Sequence, residues 1–207
     1  MIRVLIADDH QLVREGLRGL LEAAPEFEVA AEAATGDEAL AQVRKQAFDV
    51  VLLDLSMPGL SGIDLILRLK LERPALRILV LSMHGEQQYA ARALKAGAAG
   101  YLTKDSASEQ LVAALRKVAA GGVHISEAAA AALVNHRAGP EAPHTRLSDR
   151  EFEVFRLLAT GRSPTEIGEQ LHLSVKTVST HKARILQKLE LAGTAELVRY
   201  AMENDLL

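Results

Sequence analysis

Along residues 1–120, short apolar runs alternate with stretches in which apolar positions recur every three or four residues. The runs at Arg3–Ala7, Val29–Ala33, Asp49–Leu53, Arg77–Leu81 and Gly100–Leu102 read as strands. Continuous β-branched and leucyl runs bounded by turn residues suit strands buried on both faces. Between them, Gln11–Ala23, Asp37–Gln46, Gly62–Glu72, Gln87–Ala96 and Ser108–Ala120 carry helical periodicity. Strand–helix repetition of this kind predicts a parallel sheet with helices on both faces, and five such units match a flavodoxin-like doubly wound α/β domain.

The pattern changes after residue 121. Gly121-Gly122 closes the last helix, and SEAAAAALVNH (126–136) predicts one more, capped by Ser126. RAGPEAPHT (137–145) has two prolines, a glycine and no apolar period, which marks a linker. From 147 onward only helical periodicity remains. Ser148-Asp149-Arg150-Glu151 has the spacing of a capping box, and Ser163-Pro164-Thr165-Glu166 repeats it with proline at the first helical position. Ser174 caps a third helix, and a fourth runs from Thr194 to about Asn204. The short turn at His172-Leu173 suggests a helix-turn-helix. The division is therefore an α/β domain (1–121), a helical or flexible linker (122–146) and an all-α four-helix domain (147–207).

Composition narrows the function. The absence of cysteine excludes disulfides and thiol chemistry. The N-terminus meets acids within a few residues and does not read as a signal peptide, and no apolar run reaches the ~20 residues of a membrane span. The expectation is a soluble, cytoplasmic protein without a membrane partner. Net charge is −3, and residues 1–121 hold 14 Lys/Arg against 16 Asp/Glu, so any nucleic-acid surface must be local.

The chemistry gathers at strand ends. Asp8 and Asp9 follow the first predicted strand and Asp54 the third. In a doubly wound sheet these strands can be neighbours at the switch point, where ligands bind at carboxyl ends. Three converging carboxylates require a cation, and a few carboxylates, carbonyls and waters suit Mg²⁺. The fourth strand ends in Leu81-Ser82-Met83 and the fifth in Leu102-Thr103-Lys104, which adds a hydroxyl and an ammonium. Each residue alone has an ordinary explanation as a turn or solvated residue. Together, in strand order, they describe a cradle for a phosphoryl group on Asp54.

The helix beginning after Ser174 has two faces. Val178, Ile185 and Leu189 fall on one, and Lys176, Ser179, Thr180, Ala183 and Gln187 on the other. Lys176, Lys182, Arg184 and Lys188 are basic, with no acid between Ser174 and Leu189. A single-signed run after a capped turn, interleaved with short polar residues, points to DNA.

ADDH (7–10), LLDLSMPGLSG (52–62), LSMH (81–84) and GYLTKD (100–105) resemble the receiver domain of bacterial two-component response regulators. Residues 147–191 resemble the helix-turn-helix of LuxR-type regulators, and the combination is the NarL/FixJ-type architecture. The resemblance implies that Asp54 is the phosphoacceptor for a sensor histidine kinase. It implies that Asp9, Asp54 and the Ser56 backbone carbonyl hold Mg²⁺, with Asp8 acting through a metal-bound water. Ser82 and Lys104 then contact the phosphoryl oxygens, and Tyr101 takes the position of the family's switch aromatic; an ordinary core tyrosine is the plainer reading of it. It further implies an active homodimer on a double-stranded operator. Lys176, Thr177, Ser179, Thr180, Lys182, Ala183 and Arg184 are the candidate DNA contacts. Val198, Ala201 and Met202 are the candidate dimer contacts, or simply close the domain core. Pro164-Thr165 stands where the family commonly has Asn-Lys, and Ser179 and Ala183 stand where some relatives carry lysine, so base preference cannot be borrowed.

The resulting expectation is a phosphorylation-controlled transcription regulator, not an enzyme beyond weak hydrolysis of its own acyl phosphate. An aspartyl-phosphate phosphatase would place a second acid two residues after the nucleophile, where Ser56 stands. The remaining alternatives are a phosphorylation-independent DNA binder that uses its first domain only to dimerise, and a protein with a non-DNA output.

Overall fold

A computed structural model describes residues 1–57, 60, 62–82, 86–126, 143–171, 173–204 and 206. It divides into two compact units, Met1–Ala138 and Gly139–Leu207. The helix expected over 126–136 and most of the 137–145 stretch lie outside the described residues, as do Met83 and His172.

The first unit is a five-stranded parallel sheet in the order β2-β1-β3-β4-β5. Its strands are β1 (Ile2–Ala7), β2 (Phe27–Ala33), β3 (Val50–Asp54), β4 (Arg77–Ser82) and β5 (Gly100–Thr103). The helices between and after them are α1 (Gln11–Glu22), α2 (Gly36–Lys45), α3 (Gly62–Glu72), α4 (Glu86–Lys95) and α5 (Lys104–Ala119). β3 is central and buried at every position, which explains why its sequence is continuously apolar rather than alternating. Ile6, Leu52 and Leu81 point into a core closed by Leu17 and Leu21 of α1 and Leu111 and Leu115 of α5. Leu65, Ile66 and Leu69 of α3 are buried in the remaining, α2–α4 layer.

Four of the strands run one or two residues longer than the sequence predicts and β3 is shifted by one, and two differences bear on the site. β3 includes Asp54 as its last residue, so this carboxylate belongs to the sheet rather than to the following loop. α5 begins at Lys104, four residues before the expected start, with Thr103 as its N-cap residue. The apolar period there begins late because the helix opens with Lys104-Asp105-Ser106, of which Lys104 reaches into the site. A third difference concerns the stretch after α5. Gly121 adopts φ +90°, a conformation that L side chains rarely take, and the chain turns back. His124 then pairs in parallel with Gly100, donating to Ala99 O and accepting from Tyr101 N. Residues assigned to the linker from the sequence thus protect the outer edge of β5.

The second unit is helical: a 3₁₀ turn at Pro143–Arg146, then α6 (Asp149–Ala159), α7 (Pro164–Leu171), α8 (Val175–Leu189) and α9 (Thr194–Glu203). Its core holds Phe152 stacked on Phe155 at 5.8 Å between ring centres, together with Ile167, Val178, Ile185 and Leu197. Both capping boxes form. Glu151 N donates to Ser148 Oγ and Ser148 N to Glu151 Oε2, and Ser163 and Glu166 repeat the exchange. Thr177 N donates to Ser174 Oγ at the start of α8. Among the described residues no helix is long and apolar enough to cross a membrane.

Candidate functional site

Because β1 and β3 are hydrogen-bonded neighbours, the residues at their carboxyl ends meet although they are far apart in sequence. Asp8 and Asp54 are 1% and 2% exposed. Lys104, at the first position of α5, reaches both: its Nζ lies 2.8 Å from Asp54 Oδ2 and 2.7 Å from Asp8 Oδ2. Ser56 N donates to Asp54 Oδ1 at 3.1 Å, holding the following turn beside the carboxylate. Asp9 is more open, with its side chain 30% exposed.

Burial pushes the Asp54 carboxyl above the usual carboxylate range. Lys104 opposes the rise, and the Asp8 charge adds to it. Burial pulls the Lys104 ammonium the other way, but the Asp54 and Asp8 carboxylates outweigh it and hold the group above the ordinary lysine value. Lys104 is therefore charged, and it balances one of three acids. One ammonium thus faces three carboxyl groups, in a set dominated by oxygen donors. Divalent Mg²⁺ fits that charge and that chemistry, with Asp9 as the acid open to solvent.

Ser82 ends β4, one residue beyond Leu81, the register partner of Asp54, and is fully buried. Tyr101 of β5, opposite Val80, is also buried. Two nearby side chains were not anticipated from the sequence. Arg14 Nη1 donates to the Asp8 carbonyl at 2.7 Å and its Nε to Glu32 at 3.2 Å, tying the acid loop to α1 and β2. His10 sets its Nδ1 2.8 Å from Asp9 Oδ1. The helical position of Arg14 and the adjacency of His10 to two acids were visible, but neither shows which way a side chain turns.

In the second unit, α8 has the two expected faces. Val178, Ile185 and Leu189 are buried. Lys176, Ser179, Thr180, Ala183 and Arg184 are exposed, and Thr177 and Lys182 are partly so. The Ser179 and Thr180 hydroxyls donate to the Val175 and Lys176 carbonyls of their own helix, so each must rotate before it can donate to a base edge. Lys188 does not share the basic face. Its Nζ lies 2.6 Å from Glu151 Oε2, and the side chain ties α8 to the capping box of α6. The sequence groups Lys188 with the other cations because charge alone does not reveal a partner 37 positions away. His181 is desolvated, which lowers its pKa, and its Nδ1 is buried with no hydrogen-bond partner among the described residues.

On α9 the three candidate dimer residues separate. Met202 is 64% exposed and Val198 partly exposed, but Ala201 is fully buried beside Leu197. Ala201 closes the domain core and is not available to a partner, because it falls on the inward side of the helix.

An α/β domain with a lysine-bridged acid pocket, joined to a helix-turn-helix domain, defines a phosphorylation-controlled DNA-binding transcription regulator. Residues 4–116 match the response regulator receiver domain family, and residues 145–201 match the bacterial regulatory proteins of the luxR family. The chain is 37% identical over 209 residues to the response regulator UvrY of Escherichia coli, covering 100% of this chain and 96% of that protein. It is 39% identical over 215 residues to the oxygen regulatory protein NreC of Staphylococcus carnosus, covering 100% and 99%. The RcsB response regulator of Salmonella typhimurium superposes with a TM-score of 0.60 at 32% identity, over 97% of this chain and 98% of that one. RcsB has also been solved in complex with DNA. The chain belongs to the two-component response regulators of the NarL/FixJ type, with a receiver domain and a LuxR-type DNA-binding domain.

Proposed function

We propose that Asp54 accepts a phosphoryl group from a sensor histidine kinase and that the α8 surface reads an operator when the protein is so modified. The observation that carries this reading is the double ion pair of Lys104 with Asp54 and Asp8. It places a cation where the charge of an acyl phosphate would develop, beside a carboxylate at the end of the central strand. Asp9, Asp54 and the Ser56 carbonyl are the groups that would hold Mg²⁺, with Asp8 supporting them. When bound, the ion would neutralise negative charge on the transferring phosphoryl group.

Phosphorylation deposits about −1.5 to −2 charges next to Lys104 and Ser82. Lys104 turns from bridging two carboxylates to pairing with the new group. The Ser82 hydroxyl, at the end of β4, is the donor able to follow, and Tyr101 on β5 is the large side chain whose packing depends on that strand end. Ser56 offers no general acid two positions after Asp54, so turnover is restricted to slow loss of the phosphoryl group to water. On the output side, Lys176, Lys182 and Arg184 supply phosphate contacts, and Thr177, Ser179, Thr180 and Ala183 face the bases. Val198 and Met202 support pairing of two copies, and the protein acts in the cytoplasm.

The test is incubation with acetyl phosphate and Mg²⁺, followed by intact-mass measurement and DNA binding. The expected result is one added phosphoryl group, absent when Mg²⁺ is chelated before the phosphodonor is added, with tighter operator binding in the labelled fraction. Labelling at another residue, or DNA binding indifferent to the label, would reject the proposal.

A further inference from the structure

His10 stands at the N-cap of α1, with extended backbone at φ −88° and ψ 110°. Three interactions fix it there. Its amide donates to Asp8 Oδ1 at 2.8 Å, and its carbonyl accepts from Val13 N and Arg14 N. Arg14 in turn clamps the Asp8 carbonyl. The ring is 65% exposed, so solvent and ions reach it freely.

The imidazole does not point away from the acid pocket. Nδ1 lies 2.8 Å from Asp9 Oδ1 and 3.3 Å from Asp8 Oδ1. One ligand atom from each of Asp8, Asp9, His10 and Asp54 falls within 4.8 Å of all the others. An octahedral ion with bonds of about 2.1 Å holds neighbouring ligand atoms about 3 Å apart. The spacings from Nδ1 to the two carboxylate oxygens bracket that edge length. A nitrogen donor therefore stands beside the Asp9 carboxylate, which with Asp54 and the Ser56 carbonyl is assigned above to the ion.

We infer that His10 is a further protein ligand of this pocket and gives it a preference for divalent ions that accept imidazole nitrogen, such as Co²⁺, Ni²⁺ or Zn²⁺, over Mg²⁺. The inference rests on the divalent-ion site proposed above and deepens it. Mg²⁺ is bound by oxygen and keeps its waters, so it gains little from an imidazole. Later first-row ions bind nitrogen more strongly, in the order Co²⁺ < Ni²⁺ < Cu²⁺, with Zn²⁺ also well suited to histidine. His10 then separates two modes of the same pocket. Mg²⁺ would be held by the carboxylates and the Ser56 carbonyl alone, whereas Co²⁺ would take Nδ1 of His10 as well.

The test is calorimetric titration of the full chain with MgCl₂ and with CoCl₂, in wild type, His10→Ala and Asp54→Asn. His10→Ala is expected to weaken Co²⁺ about tenfold while shifting the Mg²⁺ affinity by less than about twofold. Co²⁺ should also produce a strongly contact-shifted, exchangeable imidazole N–H signal that His10→Ala lacks, whereas a ring that is merely near the ion shows only the smaller through-space shifts. A Co²⁺ loss of under about threefold, or an equal loss for Mg²⁺, overturns the assignment of His10. If Asp54→Asn leaves Mg²⁺ affinity unchanged, the pocket itself is misread and both readings fall. If Asp54→Asn weakens Mg²⁺ and His10→Ala spares Co²⁺, the inference about His10 falls alone.

Discussion

The ammonium of Lys104 and the carboxylate of Asp54 meet at 2.8 Å across 50 positions of sequence, at the junction of β5, α5 and β3. The Lys104 side chain is only 11% exposed, so the pair is shielded from water and salt. Lys104→Met keeps much of the stem and removes the charge, leaving Asp8, Asp9 and Asp54 without their cation. The receiver should lose roughly 3 kcal/mol of stability without metal. Mg²⁺ should then stabilise the variant more than it stabilises wild type. Urea unfolding with and without Mg²⁺ checks both statements, and equal stability of the two proteins would show that Lys104 balances nothing.

Asp54→Asn preserves the shape of the side chain and deletes the nucleophile. Intact mass should not change after acetyl phosphate and Mg²⁺, and full labelling would move the acceptor elsewhere.

Glu151 offers a test on the DNA-binding unit. Burial favours its neutral form, but the Lys188 ammonium and the Ser148 amide and hydroxyl outweigh this and hold the carboxyl below its usual range. A depressed native pKa contributes stability that is present above the ordinary carboxylate value and lost as pH falls through the native one. The melting temperature of the C-terminal fragment should fall on acidification below about pH 4.3. Glu151→Gln should be less stable at neutral pH and flatter over that window. Parallel curves for the two proteins would show that the ion pair contributes nothing.

A fragment from about Thr145 to Leu207 should fold alone and bind DNA, since its capping boxes, aromatic pair and buried helix faces are internal to the unit. Lys182→Ala should weaken binding to all sequences alike and reduce the salt slope by about one unit. Thr180→Ala should instead reorder a panel of operator variants, because its hydroxyl can exchange the Lys176 carbonyl for a base edge. Salt-independent affinity of the fragment would contradict the role of α8.

Gly168 of α7 lies where the chain turns toward α8, and Leu173 N donates to its carbonyl. A Cβ there would stand 2.7 Å from the Leu173 carbonyl oxygen, a backbone atom that cannot swing aside. Gly168→Ala should therefore cost about 1–3 kcal/mol and spread the two helices. Thermal melting and DNA affinity should fall together, and an unchanged melt would show that the turn has slack.

The sheet and its strand ends were legible in the sequence because continuous apolar runs such as Val50–Leu53 have few other uses. The capping boxes were legible because Ser148 and Glu151, and Ser163 and Glu166, bond within one turn. What the sequence concealed depends on long-range geometry. Lys188 looked like one more cation of the DNA face until Glu151 met it from α6. Ala201 looked available beside Val198 and Met202, yet one step around the helix puts it in the core. The early start of α5 was hidden because it opens with the polar run Lys104-Asp105-Ser106, whose lysine serves the acid pocket.

The sheet order also has a consequence for the birth of the protein. The ribosome delivers Asp8 and Asp9 first, then Asp54, and Lys104 only 50 residues after that. A nascent chain that has emerged as far as β3 can pair β1 with β3, but it must bring the three acids together with no lysine to balance them. The acidic end of the sheet should stay open until α5 clears the exit tunnel. Chains stalled before residue 104 should therefore be cut readily by protease near Asp8 and Asp54, and chains stalled well beyond α5 should resist.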